Sequence, residues 1–235
     1  MTANFTSSSI LWLPVTLALY FAACELHQRA GKSPLLNPTL LTITCISTAL
    51  LGSGVAYSDY FESVKILHYL LGTAVVALAI PLYGNLQRMD GNLKAMAAAL
   101  ICGSLTSIVV GVALAQALGA SLSTILSITP KSATAAVSME IARMIGGVPA
   151  VTACLTIFTG ITGAVIGPYL LNACGVQTPF ARGLALGTAS HGIATARAFT
   201  EDEVTGCWAS LAMGLNAILT AFFAPLIVSA FFGLK

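Results

Sequence analysis

Charge is what this sequence has least of. Asp, Glu, Lys and Arg make up 8% of its 235 residues, 57% are hydrophobic, and mean hydropathy is +0.91. Soluble globular domains carry about 25% charged residues, so an ordinary water-soluble domain is excluded. Ten Lys and Arg against eight Asp and Glu leave a net charge of +2 with no basic block. That argues against nucleic acid as a partner. The first nine residues hold no Lys or Arg, so they lack the basic start of a signal peptide, and the first apolar run is expected to stay in the protein. The six cysteines (Cys24, Cys45, Cys102, Cys154, Cys174 and Cys207) stand singly, with no CxxC and no His at ligand spacing. They read as small hydrophobes, and neither a metal nor a disulfide is expected. GxSxG, HExxH and paired acidic motifs are missing too, so neither catalysis nor a cofactor is expected.

What is present is a succession of apolar runs, at about 10–24, 35–55, 64–86, 93–118, 122–145, 148–174, 180–199 and 204–233. At ~20 residues per crossing, this is an all-α multi-pass membrane protein of about seven or eight spans, with the lipid bilayer as its surroundings. Arg29 and Lys32 follow the first run; Arg88 and Lys94 follow the third. The positive-inside rule puts both loops in the cytoplasm and the N-terminus outside. Carried forward, alternation places Arg143 and Arg197 inside, with Lys65, Arg182 and Lys235 outside. A multi-pass membrane location is expected.

Two runs are not plain spans. The run 122–145 is interrupted by Thr129-Pro130-Lys131, and 180–199 is full of Gly, Ser, Thr and His. Irregular backbone at membrane depth survives only where protein or a water-filled path satisfies it. The stretch "LGTAVVALAIPLYGN" (71–85) also parallels "FTGITGAVIGPYLLN" (158–172) when Pro81 is set on Pro168. Upstream of each lies a helix interrupted near its start, at Pro38 and at Pro130. With opposite orientations these units form an inverted repeat, a transporter-like design with discontinuous helices. The chain then divides into a first span and loop (1–34), a first repeat (35–118), a second repeat (121–199) and a C-terminal span (203–235).

Pro130 lacks a backbone donor and disfavours helix at Thr129. It suits the first turn of a second half-helix, with Thr129 as N-cap. Lys131 beside that N-terminus, with Ser132 next to it and Thr134 and Ser138 on the same face, makes a cradle for a carboxylate. The plain alternative is a lysine snorkelling from a span boundary. Glu140 and Arg143, at i and i+3, read as a structural or gating pair. In "ARGLALGTASHGIATARAF" (181–199), Gly187, Ser190, His191, Ala194 and Thr195 fall on one helical stripe. Such stripes often serve only close packing. An intramembrane His marks a functional path by default, and His191 can bind a carboxylate or carry a proton. His27 and His68 read as interfacial, and Arg182 and Arg197 as anchors of the helix ends.

The stretches "TPKSATAAVSMEIARMIGGVPAVTA", "ARGLALGTASHGIATARAF" and "SLAMGLNAILTAFFAPLI" closely resemble signature segments of the LrgB/CidB family, most specifically over 129–227. That family is named for antiholin-like modulation of murein hydrolase activity and autolysis. It includes the membrane domain of the plastid glycolate/glycerate translocator and is linked to movement of small monocarboxylates such as pyruvate, lactate and glycolate. The resemblance implies a similar role, with Lys131, Ser132, Ser190 and His191 at matching positions. The plastid proteins carry an LrgA-like half in a long N-terminal extension; here a separate small holin-like LrgA/CidA-type protein is the expected partner, and a homodimer is expected by analogy. The leading expectation is a secondary carrier for small monocarboxylates. The alternative is an antiholin-like modulator acting through its partner or a pore. A carrier needs broken helices and a buried polar pair, which a purely interacting protein does not.

Overall fold

The computed structural model describes residues 11–31, 36, 38–77 and 93–233. Every regular element among them is a helix: α1 (Trp12–Arg29), α2 (Pro38–Ser53), α3 (Tyr57–Ala77), α4 (Leu93–Ala117), α5 (Leu122–Ile128), α6 (Ala135–Ile145), α7 (Pro149–Ala173), α8 (Pro179–Glu201) and α9 (Glu203–Phe232). Of these, α4, α7 and α9 are long and apolar enough to cross a membrane. Pro81 and Asn85 of the first repeat lie outside the described residues, as do Lys32, Arg88, Asp90 and Lys235.

The chain forms two compact units, Met1–Ala74 and Val75–Lys235. In the first, Trp12 meets Tyr60 edge-on at 5.6 Å between ring centroids, and the Thr16 and Tyr60 hydroxyls lie 3.2 Å apart. His27 Nδ1 sits 3.0 Å from the Leu36 carbonyl oxygen, two residues before α2. Pro38 is the first residue of α2, and most of the residues just before it lie outside the described ones. Its missing N–H costs nothing there, because the first donors of a helix have no intrahelical partner.

The second unit is built on α9, whose Leu211, Ala212, Asn216, Thr220, Ala224 and Val228 are buried. Two apolar clusters pack along it. Met96 and Leu100 of α4 join Leu184, Leu211 and Ala212; further on, Ile108, Val112 and Ala115 join Ile125, Ile141 and Ala224.

The run 180–199 does not make a single straight helix. Ser190 (φ −141°, ψ 22°) and His191 (φ 43°, ψ −140°) leave helical geometry. Arg182 Nε nevertheless lies 2.9 Å from Glu201 Oε2, nineteen residues on. A straight helix would separate their backbones by about 28 Å at 1.5 Å per residue, far beyond the reach of two side chains. α8 is therefore a helical hairpin of two arms, 179–189 and 192–201, with Ser190–His191 at its tip. Leu186 of the first arm packs with Ala194 and Ala198 of the second. This corrects the sequence reading twice. Arg182 is a buried partner of Glu201, Asn172 and the Val176 carbonyl rather than an end anchor. Both ends of the run also lie at one end of the unit, so the alternation that set Arg182 and Arg197 on opposite sides fails.

The run 122–145 folds back as well. Ile125 packs against Ile141, and Ser138 donates to the Pro130 carbonyl at 2.7 Å across the turn. The base is tied to α7, where Thr152 donates to the Ser127 carbonyl and the Val148 N–H to Ser127 Oγ. Gly146, at φ 87°, ends α6 in the left-handed conformation that glycine adopts without a Cβ clash.

Candidate functional site

The two hairpin tips meet at one side chain. Asn216, in the middle of α9 and fully buried, donates through Nδ2 to the Ser132 carbonyl at 3.0 Å and to the Thr188 carbonyl at 3.1 Å. Ser132 belongs to the first tip and Thr188 to the approach to the second. A helix break strips carbonyls of their intrahelical donors, and a buried carbonyl without one costs free energy. Asn216 supplies donors to both tips at once. A lone amide inside a thirty-residue apolar helix was the available sequence signal, and the sequence reading passed over it.

The first tip turns differently from the expectation. Thr129 is the C-cap of α5, with αR backbone and Oγ1 donating to the Ile125 carbonyl, so it does not cap the second half-helix. That N-cap is Thr134, and the intervening 129–134 are turn. Pro130 is fully buried in the turn rather than placed in a helical first turn. The proposed single face of Lys131, Thr134 and Ser138 is thereby lost: Ser138 is held by Pro130, and Thr134 Oγ1 is buried. Lys131 does not snorkel. Its Nζ donates to the Ser107 carbonyl at 3.0 Å and faces Ser107 Oγ at 3.2 Å, on α4.

Lys131 lines a cavity of about 1280 Å³ with Thr106, Ser107, Thr159, Thr188 and Ser190 among otherwise largely apolar walls. It is the one charged side chain on that wall among the described residues, and no carboxylate among them lies within 4 Å of it. An ammonium held in apolar surroundings by neutral oxygens alone is costly and favours a bound anion.

At the second tip the side chains are taken up by packing. His191 Nε2 lies 2.8 Å from the Thr156 carbonyl, and Thr195 Oγ1 donates to the His191 carbonyl at 2.8 Å. His191 is buried and is not on the cavity wall; Ser190 is. The arms ride on glycines of α7. A Cβ on Gly160 would stand 2.6 Å from His191 Cε1, one on Gly167 would stand 2.7 Å from Leu186, and one on Gly163 would collide with the Ser190 side chain. The stripe from Gly187 to Thr195 is thus split by the turn, and Gly187 instead lets the first arm touch the Ala209 backbone. Glu140 and Arg143 lie apart from the cavity, exposed, with Arg143 Nη1 3.5 Å from Glu140 Oε1. Sequence reading missed Ser107, Asn216, Thr188 and Gly163. Their residue types are ordinary in membrane helices, and only the fold gives them partners.

Long apolar helices, two helical hairpins and an open, largely apolar cavity with one cation on its wall define a helical membrane protein. The chain belongs to the LrgB-like family, whose model matches residues 16–230. It is 31% identical over 224 residues to the holin-like protein CidB of Staphylococcus epidermidis, covering 95% of this chain and 97% of that one. Similar relatives are the uncharacterized protein YxaC of Bacillus subtilis (34% over 223 residues; 95% and 96% covered) and an uncharacterized protein of Haemophilus influenzae (30% over 217 residues; 92% and 94% covered). No solved structure matches the chain significantly.

Proposed function

We propose that this chain is a holin-like component of the bacterial inner membrane that modulates murein hydrolase activity and autolysis together with a small LrgA/CidA-type partner. The observation that carries this reading is the near full-length similarity to proteins named holin-like CidB. It reverses the order of the sequence reading, which put a carboxylate carrier first. The test is autolysis in cells that lack or overproduce the chain, with and without the partner. A changed lysis rate that depends on the partner is expected; equal lysis in all four strains overturns the reading.

The cavity favours a second reading, carriage of small monocarboxylates of the glycolate, glycerate, pyruvate or lactate class. What supports it is Lys131, unpaired with any described carboxylate at the wall of a cavity between two broken helices. On this reading Lys131 holds the carboxylate, Ser190 and Ser107 border it, and His191 with Thr195 keeps the second tip folded. The two readings are compatible, since altered carboxylate flux can alter autolysis. Counterflow of labelled glycolate or pyruvate in proteoliposomes tests it, with exchange expected in the native protein and lost in Lys131→Ala. Exchange at the native rate in that variant removes Lys131 from the site. An external N-terminus, inverted repeats and a dimer complete this proposal; with two of the eight apolar runs folding back as hairpins, six crossings remain of the seven or eight expected.

A further inference from the structure

Behind the cavity wall lies a layer of oxygens that nothing among the described residues satisfies. Ser104 Oγ, Ser132 Oγ, Asn216 Oδ1 and Thr220 Oγ1 are all buried and without a hydrogen-bond partner there. The packing puts them in one band of the unit, between its two apolar clusters. Along α4, Ser104 stands one turn from Leu100 on one side and one turn from Ile108 on the other. Along α9, Asn216 and Thr220 stand between Ala212, which packs with Leu100, and Ala224, which packs with Ile108. A polar layer is therefore sandwiched between two apolar clusters. Asn216 brings Ser132 into it directly, and Thr188, whose carbonyl Asn216 also binds, has its methyl against the face of Gly103, beside Ser104.

Four orphaned oxygens in one band are expensive, because each buried polar atom without a partner forfeits its hydration. Asn216 Oδ1 can only accept, so a donor or a cation is the one way to satisfy it. Two tip carbonyls, at Ser132 and Thr188, border the same place through their bonds to Asn216. Uncharged hydroxyl, amide and carbonyl oxygens with no carboxylate among them suit a monovalent cation. A divalent ion of the calcium or magnesium class takes carboxylates. Broken-helix carbonyls supplemented by such side chains are a recurrent way of holding sodium inside a membrane.

We propose that Ser104, Ser132, Asn216 and Thr220, with the tip carbonyls of Ser132 and Thr188, form a site for a small monovalent cation of the sodium class. The site lies between the hairpin tips, out of the cavity. It is independent of whether the protein acts in autolysis or in carriage. Lys131, whose Nζ is held at Ser107 one turn along α4 from Ser104, opposes the cation electrostatically, so binding is weak, and an anion beside Lys131 strengthens it.

Thermal unfolding of the full-length protein in detergent tests this, in sodium, potassium and choline chloride at matched ionic strength. A saturable rise in Tm of a few degrees with sodium over choline is expected, because a ligand that binds only the folded state stabilises it by mass action. Thr220→Val and Ser104→Ala remove orphaned oxygens without removing any hydrogen bond. Both variants are expected to unfold slightly higher than the native protein in choline and to lose the sodium shift. Identical Tm values for the native protein in all three salts overturn the proposal and leave the layer to water. A sodium shift that persists in both variants overturns it as well, by putting the ion elsewhere.

Discussion

The two hairpin tips are built on opposite plans. The first, at 129–134, is a wide turn that carries a charge to the cavity and leaves hydroxyls at Ser132 and Thr134 without partners. The second is a two-residue reversal with every named side chain engaged. His191 is bound to Thr156, Thr195 is bound to His191, and Ser190 is seated where Gly163 has no Cβ. His191 is also the one non-glycine residue with positive φ among the described residues, a conformation that costs on the order of 1–3 kcal/mol and persists only where surroundings impose it. One tip thus carries a charge to the cavity wall, and the other is held by packing. Asn216 is what they share. The chemistry of an intramembrane site can therefore sit on one hairpin while its geometry is enforced through the other.

The sharpest way to break the comparison is to cut the shared tie. Asn216→Leu leaves the Ser132 and Thr188 carbonyls buried without that donor, each at about 1–3 kcal/mol. Both tips are expected to loosen together, seen as a lower Tm and faster hydrogen exchange at 129–134 and at 188–191. Exchange rising at one tip alone would separate them. Gly163→Ala comes next and strikes only the second tip. Membrane helices approach closely through small residues, and overpacking costs about 1–3 kcal/mol. Stability is expected to fall, with hydrogen exchange near Lys131 unchanged; unchanged stability would mean that Ser190 is not held against α7.

Lys131→Met acts on the first tip with the opposite sign. A half-buried charge without a charged partner is replaced by an apolar chain of similar length, which is expected to raise stability by on the order of 1 kcal/mol. Any binding of small carboxylates should disappear with it. A fall in Tm would show that the bonds to Ser107 matter more to the fold than the desolvated charge costs, and the first tip would then be structural like the second.

These expectations also mark what the sequence disclosed. The interruption at Pro130 was legible, because proline is unusual in an apolar segment; the small polar residues marked 180–199 as irregular, but the stripe from Gly187 to Thr195 assumed a continuous helix across the break at Ser190 and His191. That both breaks are reversals and not kinks was not legible. It follows from Arg182 reaching Glu201, a contact across nineteen residues that no local pattern encodes. The N-cap went to Thr134 instead of Thr129 because Thr129 hydrogen-bonds back to Ile125 and extends α5. Local rules allow either threonine; the burial of Pro130 within the turn decides. Lys131 was visible as a cation out of place. Its partner Ser107 was not, since serine on an apolar helix is ordinary.

The smallest effect concerns the foot of the second hairpin, where the chain leaves α8 for α9. Asp202 caps α9 there, accepting from the Thr205 N–H at 2.9 Å and from the Thr205 hydroxyl. Those bonds, the hydroxyl's first, hold its carboxyl below the usual value, with Arg182 adding a little. Because the folded state binds the proton less readily than the unfolded one, the cap's contribution is full above the ordinary aspartate range. It is lost as pH falls through the depressed folded value. Asp202→Asn keeps an acceptor for the N–H and removes the titration. The variant should therefore match the native Tm closely near neutrality and lose less of it on acidification. The first hairpin has a neutral foot, tied by Ser127 to Val148 and Thr152, so acid should open the second hairpin before the first. Equal protection of both feet from hydrogen exchange at low pH would contradict that order.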